Sequence, residues 1–293
     1  LADPVVRGAG WLALWDGVLE GDLSPRTFLR LALNALPKEG EEQILQHVLG
    51  NLSQVYWHLL PAEERAVLAP EVEEILWQES TEGESVSRQA TFFRAFRGMA
   101  LTPRALARLE EVWRGDREIP NLRLSESDRT SLASTLALHE VAGWEEILEA
   151  QLESIENPDR RDRFAFVLPS LDADPSVREA FFQELLRKEN REKEPWVVEA
   201  VSNLHHPRRR EHALQFIRPG LELLEEIQET GDIFFPARWA GVTLGDHNSP
   251  EAAEMVRTFL NERPDYPFRL RLKILQAADP LFRAVEIMGA QET

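Results

Sequence analysis

The 293-residue chain contains no cysteine. That excludes disulfides, a thiolate zinc site and a cysteine nucleophile, while leaving the compartment open. No apolar run approaches the roughly 20 residues that cross a bilayer, and no segment has the charged start, apolar middle and cleavage site of a signal peptide. An initiator methionine is also missing: the chain opens Leu1-Ala2-Asp3-Pro4, as expected of a piece cut from a longer chain. Basic residues are in deficit, 33 against 51 acidic ones, for a formal net charge of -18. Such a chain repels a nucleic-acid backbone or an anionic membrane at long range, so neither is expected as a partner. The alternation of a half-buried strand appears nowhere at length. Nor is there a G-x-S-x-G elbow, a Walker loop or a dinucleotide fingerprint.

What the chain does have is helical. Hydrophobic content of 43% suffices for a core, and 29% charged residues with a mean hydropathy of -0.34 point away from both disorder and membrane insertion. Ser24-Pro25, Thr102-Pro103, Asn157-Pro158, Asp174-Pro175 and Ser249-Pro250 each precede an amphipathic run. A small polar side chain caps the unpaired N–H groups of a helix start, and proline fits the first helical position because its missing donor is not needed there. Ile44, Leu45, Val48, Leu49, Leu52, Val55, Tyr56 and Leu59 step by three and four and predict one helix over 44–59. Trp11, Trp15, Val18 and Leu19 predict another, then Phe28, Leu29, Leu33 and Leu36, then Val67, Leu68, Val72, Ile75 and Leu76, and Ile147, Leu148, Leu152 and Ile155. Breakers fall between such runs, among them Pro61, Glu82-Gly83, Gly115-Asp116, Pro195, Pro207, Pro219, Gly231 and Pro264. Short loops between helices make antiparallel neighbours, and a helix pair covers its apolar face only by stacking on the next. The expected fold is therefore all-α, a HEAT- or armadillo-like superhelix of antiparallel pairs. A closed α/α toroid or two unrelated bundles are the alternatives that spacing leaves open.

Candidate chemistry is sparse. His139-Glu140-Val141-Ala142-Gly143 begins like the H-E-x-x-H helix of zinc peptidases, but Gly143 stands where the second histidine belongs and reads as a helix end. His205 and His206 are adjacent, poor geometry for joint ligation, and with Pro207 they also read as a helix end. Arg208, Arg209 and Arg210 form the one basic cluster. Three cations at a helix start oppose the macrodipole, so they are a solvated surface, pair with acids such as Glu211, or bind an acidic neighbouring domain or peptide carboxylate. Arg88, Arg94 and Arg97 flank Phe92, Phe93 and Phe96 and could fork onto a carboxylate, or could pack their stems on the aromatics. Eight tryptophans among many acids raise an α/α glycosidase, yet the carboxyl pair it needs, about 5 to 10 Å apart, cannot be singled out among so many. Trp11, Trp15, Trp77 and Trp144 read as core.

Two stretches are familiar. Trp11 through Pro25, with Phe28-Leu29 and Leu36-Pro37-Lys38-Glu39, resembles the start of the C-terminal helical domain of the aminopeptidase N family of zinc metallopeptidases. Phe234-Phe235-Pro236-Ala237-Arg238-Trp239, Gly245-Asp246-His247 and the run from Tyr266-Pro267 to Arg283 are similar to its closing repeats. The resemblance implies an endoplasmic-reticulum-aminopeptidase-like C-terminal domain over residues 1–293, helix pairs curved into a bowl over the catalytic domain. It further implies a parent zinc aminopeptidase whose metal and H-E-x-x-H motif precede this part, so no catalytic or metal residue is assigned here and the chain alone is expected to be inactive. Its expected partners are the catalytic domain of the same chain and peptide substrates, the latter through Arg94, Arg97 and Arg238. The rival reading is a free-standing helical-repeat scaffold that binds proteins.

Overall fold

The computed structural model describes residues 2–291. They form sixteen α-helices joined by short turns, and no strand occurs among the described residues. The fold is all-α, as periodicity predicts. Two compact units are present, one of residues 2–135 with 287–291, the other of residues 136–286.

The first unit holds α1 (Pro4–Leu19), α2 (Pro25–Ala35), α3 (Glu42–Gln54), α4 (Ala62–Glu82), α5 (Val86–Met99), α6 (Pro103–Arg114) and most of α7 (Glu126–Leu138). All five expected cap sites work, here and in the second unit: Ser24, Thr102, Asn157, Asp174 and Ser249 each accept a backbone N–H of the first turn. Asp3-Pro4 is a sixth, with Asp3 accepting from Val5 N at 2.8 Å and Val6 N at 3.2 Å. Ser24→Ala should cost about 1 kcal/mol in denaturant unfolding, because it orphans the Thr27 N–H.

α4 and α5 pack as an antiparallel hairpin, with Trp77 against Phe96 at 5.1 Å between ring centroids. The helix expected over 44–59 ends at Gln54 and continues as a π-helical turn, Val55–Leu59. All five of its side chains are buried, and Arg65 donates to the carbonyls of Tyr56 and Trp57 at 3.3 Å each. Val67, on the predicted apolar stripe, is 77% exposed.

The second unit holds α8 (Trp144–Ser154), α9 (Pro158–Leu171), α10 (Pro175–Leu185), α11 (Glu194–Leu204), α12 (Arg210–Glu222), α13 (Leu224–Thr230), α14 (Phe235–Leu244), α15 (Pro250–Asn261) and most of α16 (Phe268–Gln291). α11 packs on α9 and α14, and α12 on α14 and α15, around a core with Trp239 at its centre. Pro219, expected as a breaker, lies inside α12. Beside it, Gly220 has no Cβ to meet Thr243, where one would lie 3.1 Å from the methyl, and its carbonyl accepts the Trp239 indole N–H at 2.8 Å.

Candidate functional site

The arginines singled out from sequence divide into those the fold uses and those it leaves facing solvent. On α5, Ser85 caps the first turn and Phe92, Phe93 and Phe96 are buried. Arg88 is engaged with its own fold. Its guanidinium grips Glu79 at 2.9 and 3.1 Å, lies 4.9 Å from the centre of the Phe92 ring, and donates to the carbonyls of Leu36 and Glu39. Two turns on, Arg94 is exposed and Arg97 is half-buried. Neither has a hydrogen bond or ion pair among the described residues. Burial holds the Arg97 guanidinium below its ordinary pKa, the Asp128 carboxylate pulls it back up, and Arg94 pushes it down again. Asp128 is itself occupied by the backbone N–H and hydroxyl of Ser125, at 2.9 and 2.6 Å, closing the capping turn of α7. A partly desolvated guanidinium with no acceptor is a group that an arriving carboxylate would satisfy.

The loop between α6 and α7 adds a feature that the sequence reading missed. α6 stops at Gly115, whose φ of 84° is the left-handed conformation a helix C-cap favours. Beyond it the chain turns back through Asn121, at φ 62°, and borders an open pocket of about 590 Å³. Ile119 and Leu122 supply apolar wall, and Arg117, Arg123 and Arg129 supply charge. Arg117 pairs with Glu111 at 2.6 Å and Arg129 donates to the Trp113 carbonyl at 2.8 Å, whereas Arg123 is exposed and has no partner among the described residues. Helical periodicity gives no sign of this pocket, because Arg117 and Arg123 lie in the loop between α6 and α7.

Arg238, the third expected contact residue, belongs to the second unit. It is exposed on α14, 5.9 Å from the ring centre of the equally exposed Phe234. The structure thus brings Arg94 and Arg97 together on one helix and places Arg238 in the other unit.

The basic cluster Arg208-Arg209-Arg210 is corrected outright as a carboxylate site. Only Arg208 is exposed. Arg209 is buried and donates to the carbonyls of Ser170, Leu171 and Asp172 at 2.6, 2.8 and 3.0 Å. Arg178, also buried, donates to the carbonyls of Asp172 and Ala173 at 2.6 and 2.7 Å. The last carbonyls of a helix have no intrahelical donor and carry its negative pole, and here two guanidiniums supply both bonds and charge. Burial first, and Arg178 second, bring Arg209 down to about 10, with Glu140 and Asp172 opposing. Arg210 turns inward as well, its Nε donating to the Asp246 carbonyl.

His139-Glu140-Val141-Ala142-Gly143 is not helical. α7 ends at Leu138, Glu140 adopts φ 53°, and Gly143, at φ 77°, begins α8 instead of ending a helix. The residues here do not fit a zinc ion: the second motif ligand is a glycine, and the buried His205 and His247 bond to each other at 2.8 Å. Among the described residues no group of three or more His, Asp or Glu is placed to hold a metal, and no helix is long and apolar enough to cross a membrane.

No curated protein is significantly similar to the chain. A family model, the ERAP1-like C-terminal domain, matches residues 2–281. With an all-helical fold and nearly the whole length matched, the chain belongs to the ERAP1-like C-terminal domain family, the helical C-terminal part of aminopeptidases.

Proposed function

We propose that residues 1–293 act as the non-catalytic wall and gate of an aminopeptidase's substrate chamber, both units serving as one helical-repeat domain curved over the catalytic domain of the same chain. The family match over residues 2–281 carries this reading. The zinc and the water it activates would belong to the catalytic domain, leaving exclusion and positioning to the helices. Arg94 and Arg97, and separately Arg238, would hold a peptide carboxylate or acidic side chain far from the scissile bond. The half-buried Arg97 guanidinium, without an acceptor of its own, favours that role.

The test uses the parent enzyme. Arg94→Ala and Arg97→Ala should lower kcat/KM for long peptides roughly tenfold, the scale of one lost charge-assisted hydrogen bond, and leave a dipeptide unaffected. Equal losses on both substrates would refute a remote carboxylate contact. A parent chain without aminopeptidase activity would overturn the whole reading.

A further inference from the structure

Four of the chain's seven histidines gather at inter-helix junctions of the second unit. His139 lies in the α7–α8 loop, His205 and His206 join α11 to α12, and His247 lies between α14 and α15. His205 Nδ1 and His247 Nε2 share a hydrogen bond of 2.8 Å, both rings being buried. The outer nitrogens of that pair, His205 Nε2 and His247 Nδ1, have no hydrogen-bond partner among the described residues, and neither does Nδ1 of the buried His139. His139 and His206 meet edge to face, 6.2 Å between ring centres. The charges facing this cluster are mostly positive. Arg208 faces His139; Arg208, Arg209 and Arg210 face His206; Arg210 faces His247. Arg178 stands behind Arg209, and Glu140, Asp172 and Asp246 are the acids nearby.

A neutral imidazole offers one donor and one acceptor, as the His205–His247 bond requires. Protonating both rings of the pair would set two N–H groups against each other across that bond, and an imidazolium at His139, His205 or His247 would be a buried cation near arginines. We infer that the cluster is an acid-sensitive latch: neutral imidazoles pin the loops 139–143, 205–210 and 245–249 to one another, and protonation releases them.

Burial and the neighbouring cations favour the neutral form at all four positions. Burial, then Arg208, brings His139 down to about 4. Burial, then His139 and the arginines, brings His206 to about 3. Burial, then Arg210, brings His247 to about 4, and burial, then His247, puts His205 well below its ordinary range. Once released, each would titrate near 6.5 and bind more protons than in the closed state. The latch is therefore fully closed above that pH and weakens as pH falls. Each histidine released favours opening about 25-fold between pH 7.5 and 5.0 by this linkage. Asp246 works in the opposite sense: burial raises it to about 6 against the pull of Arg210, so its protonation favours the closed state by about 10-fold over the same span. Two released histidines outweigh it.

Hydrogen exchange of the 293-residue chain at pH 7.5 and 5.0, corrected for intrinsic rates, tests the latch. Protection in the three loops should fall at least tenfold while α4 and α5 keep theirs, and His206→Asn should shrink the change. Equal protection at both pH values, or equal loss in both units, would overturn the proposal. Should His206→Asn fail to fold, histidine ring NMR of the unmodified chain decides. Four rings resisting protonation until the loops lose protection support the latch; four rings titrating near 6.5 with the loops still protected refute it.

Discussion

Glu73→Ala should lower the stability of the first unit by about 2 to 4 kcal/mol, since each donor left without an acceptor costs about 1 to 3 kcal/mol. Glu73 sits on α4 and is 3% exposed. Its Oε1 accepts the backbone N–H of Leu101 at 2.6 Å and of Thr102 at 2.8 Å, and its Oε2 accepts the Thr102 hydroxyl. Thr102 in turn caps α6 by accepting from Ala105 N at 3.2 Å. One carboxylate thus fixes the start of α6 onto α4, and its removal leaves three partly buried donors without their acceptor. Glu73→Gln retains one carbonyl acceptor and should cost about 1 to 2 kcal/mol. Urea unfolding followed by circular dichroism measures both. A loss under 1 kcal/mol for the alanine variant would show that water replaces the carboxylate.

Arg209→Met is the second large loss, about 3 kcal/mol or more, because methionine fills part of the space and donates nothing to three carbonyls at the end of α9. Arg208→Ala, one residue away and exposed, should stay within about 0.5 kcal/mol. The contrast separates an internal helix cap from a surface patch. Were the cluster a binding site, both variants would retain stability and lose the same ligand. Thermal unfolding distinguishes the two outcomes, with a drop of roughly 10 °C expected for Arg209→Met and none for Arg208→Ala.

What the sequence made legible was local. A cap and its proline lie within one helical turn of the N–H groups they serve, so Ser24, Thr102, Asn157, Asp174 and Ser249 mark helix starts with no knowledge of the rest of the chain. Asp3-Pro4 obeys the same logic and went unread because the apolar stripe of its helix begins only at Trp11, two turns further on. The destinations of the arginines were not legible. Arg209 reaches carbonyls 37 to 39 residues upstream, and Arg88 reaches Leu36 and Glu39 across 52 and 49 residues. Spacing along one helix says nothing of carbonyls delivered from elsewhere. The His205–His247 bond, 42 residues apart, was hidden for the same reason. The π-helical turn at Val55–Leu59 escaped because its apolar residues continue the helical count without a break. On α5 the sequence shows charge beside aromatics, but only tertiary packing separates Arg88, bound to its own fold, from Arg94 and Arg97, which have no hydrogen bond or ion pair among the described residues.

The inward-turned guanidiniums also shape how the molecule looks from a distance. Arg178, Arg191 and Arg209 are all under 6% exposed, so cations that count toward the total charge are withdrawn from the outer layer while most carboxylates remain there. The net charge of -18 still sets the far field, but close to the surface the carboxylates stand nearer to an approaching ion than these cations do. Cationic molecules diffusing toward it are drawn in and anionic ones slowed, an asymmetry that fades as added salt shortens the screening length to about 8 Å or less.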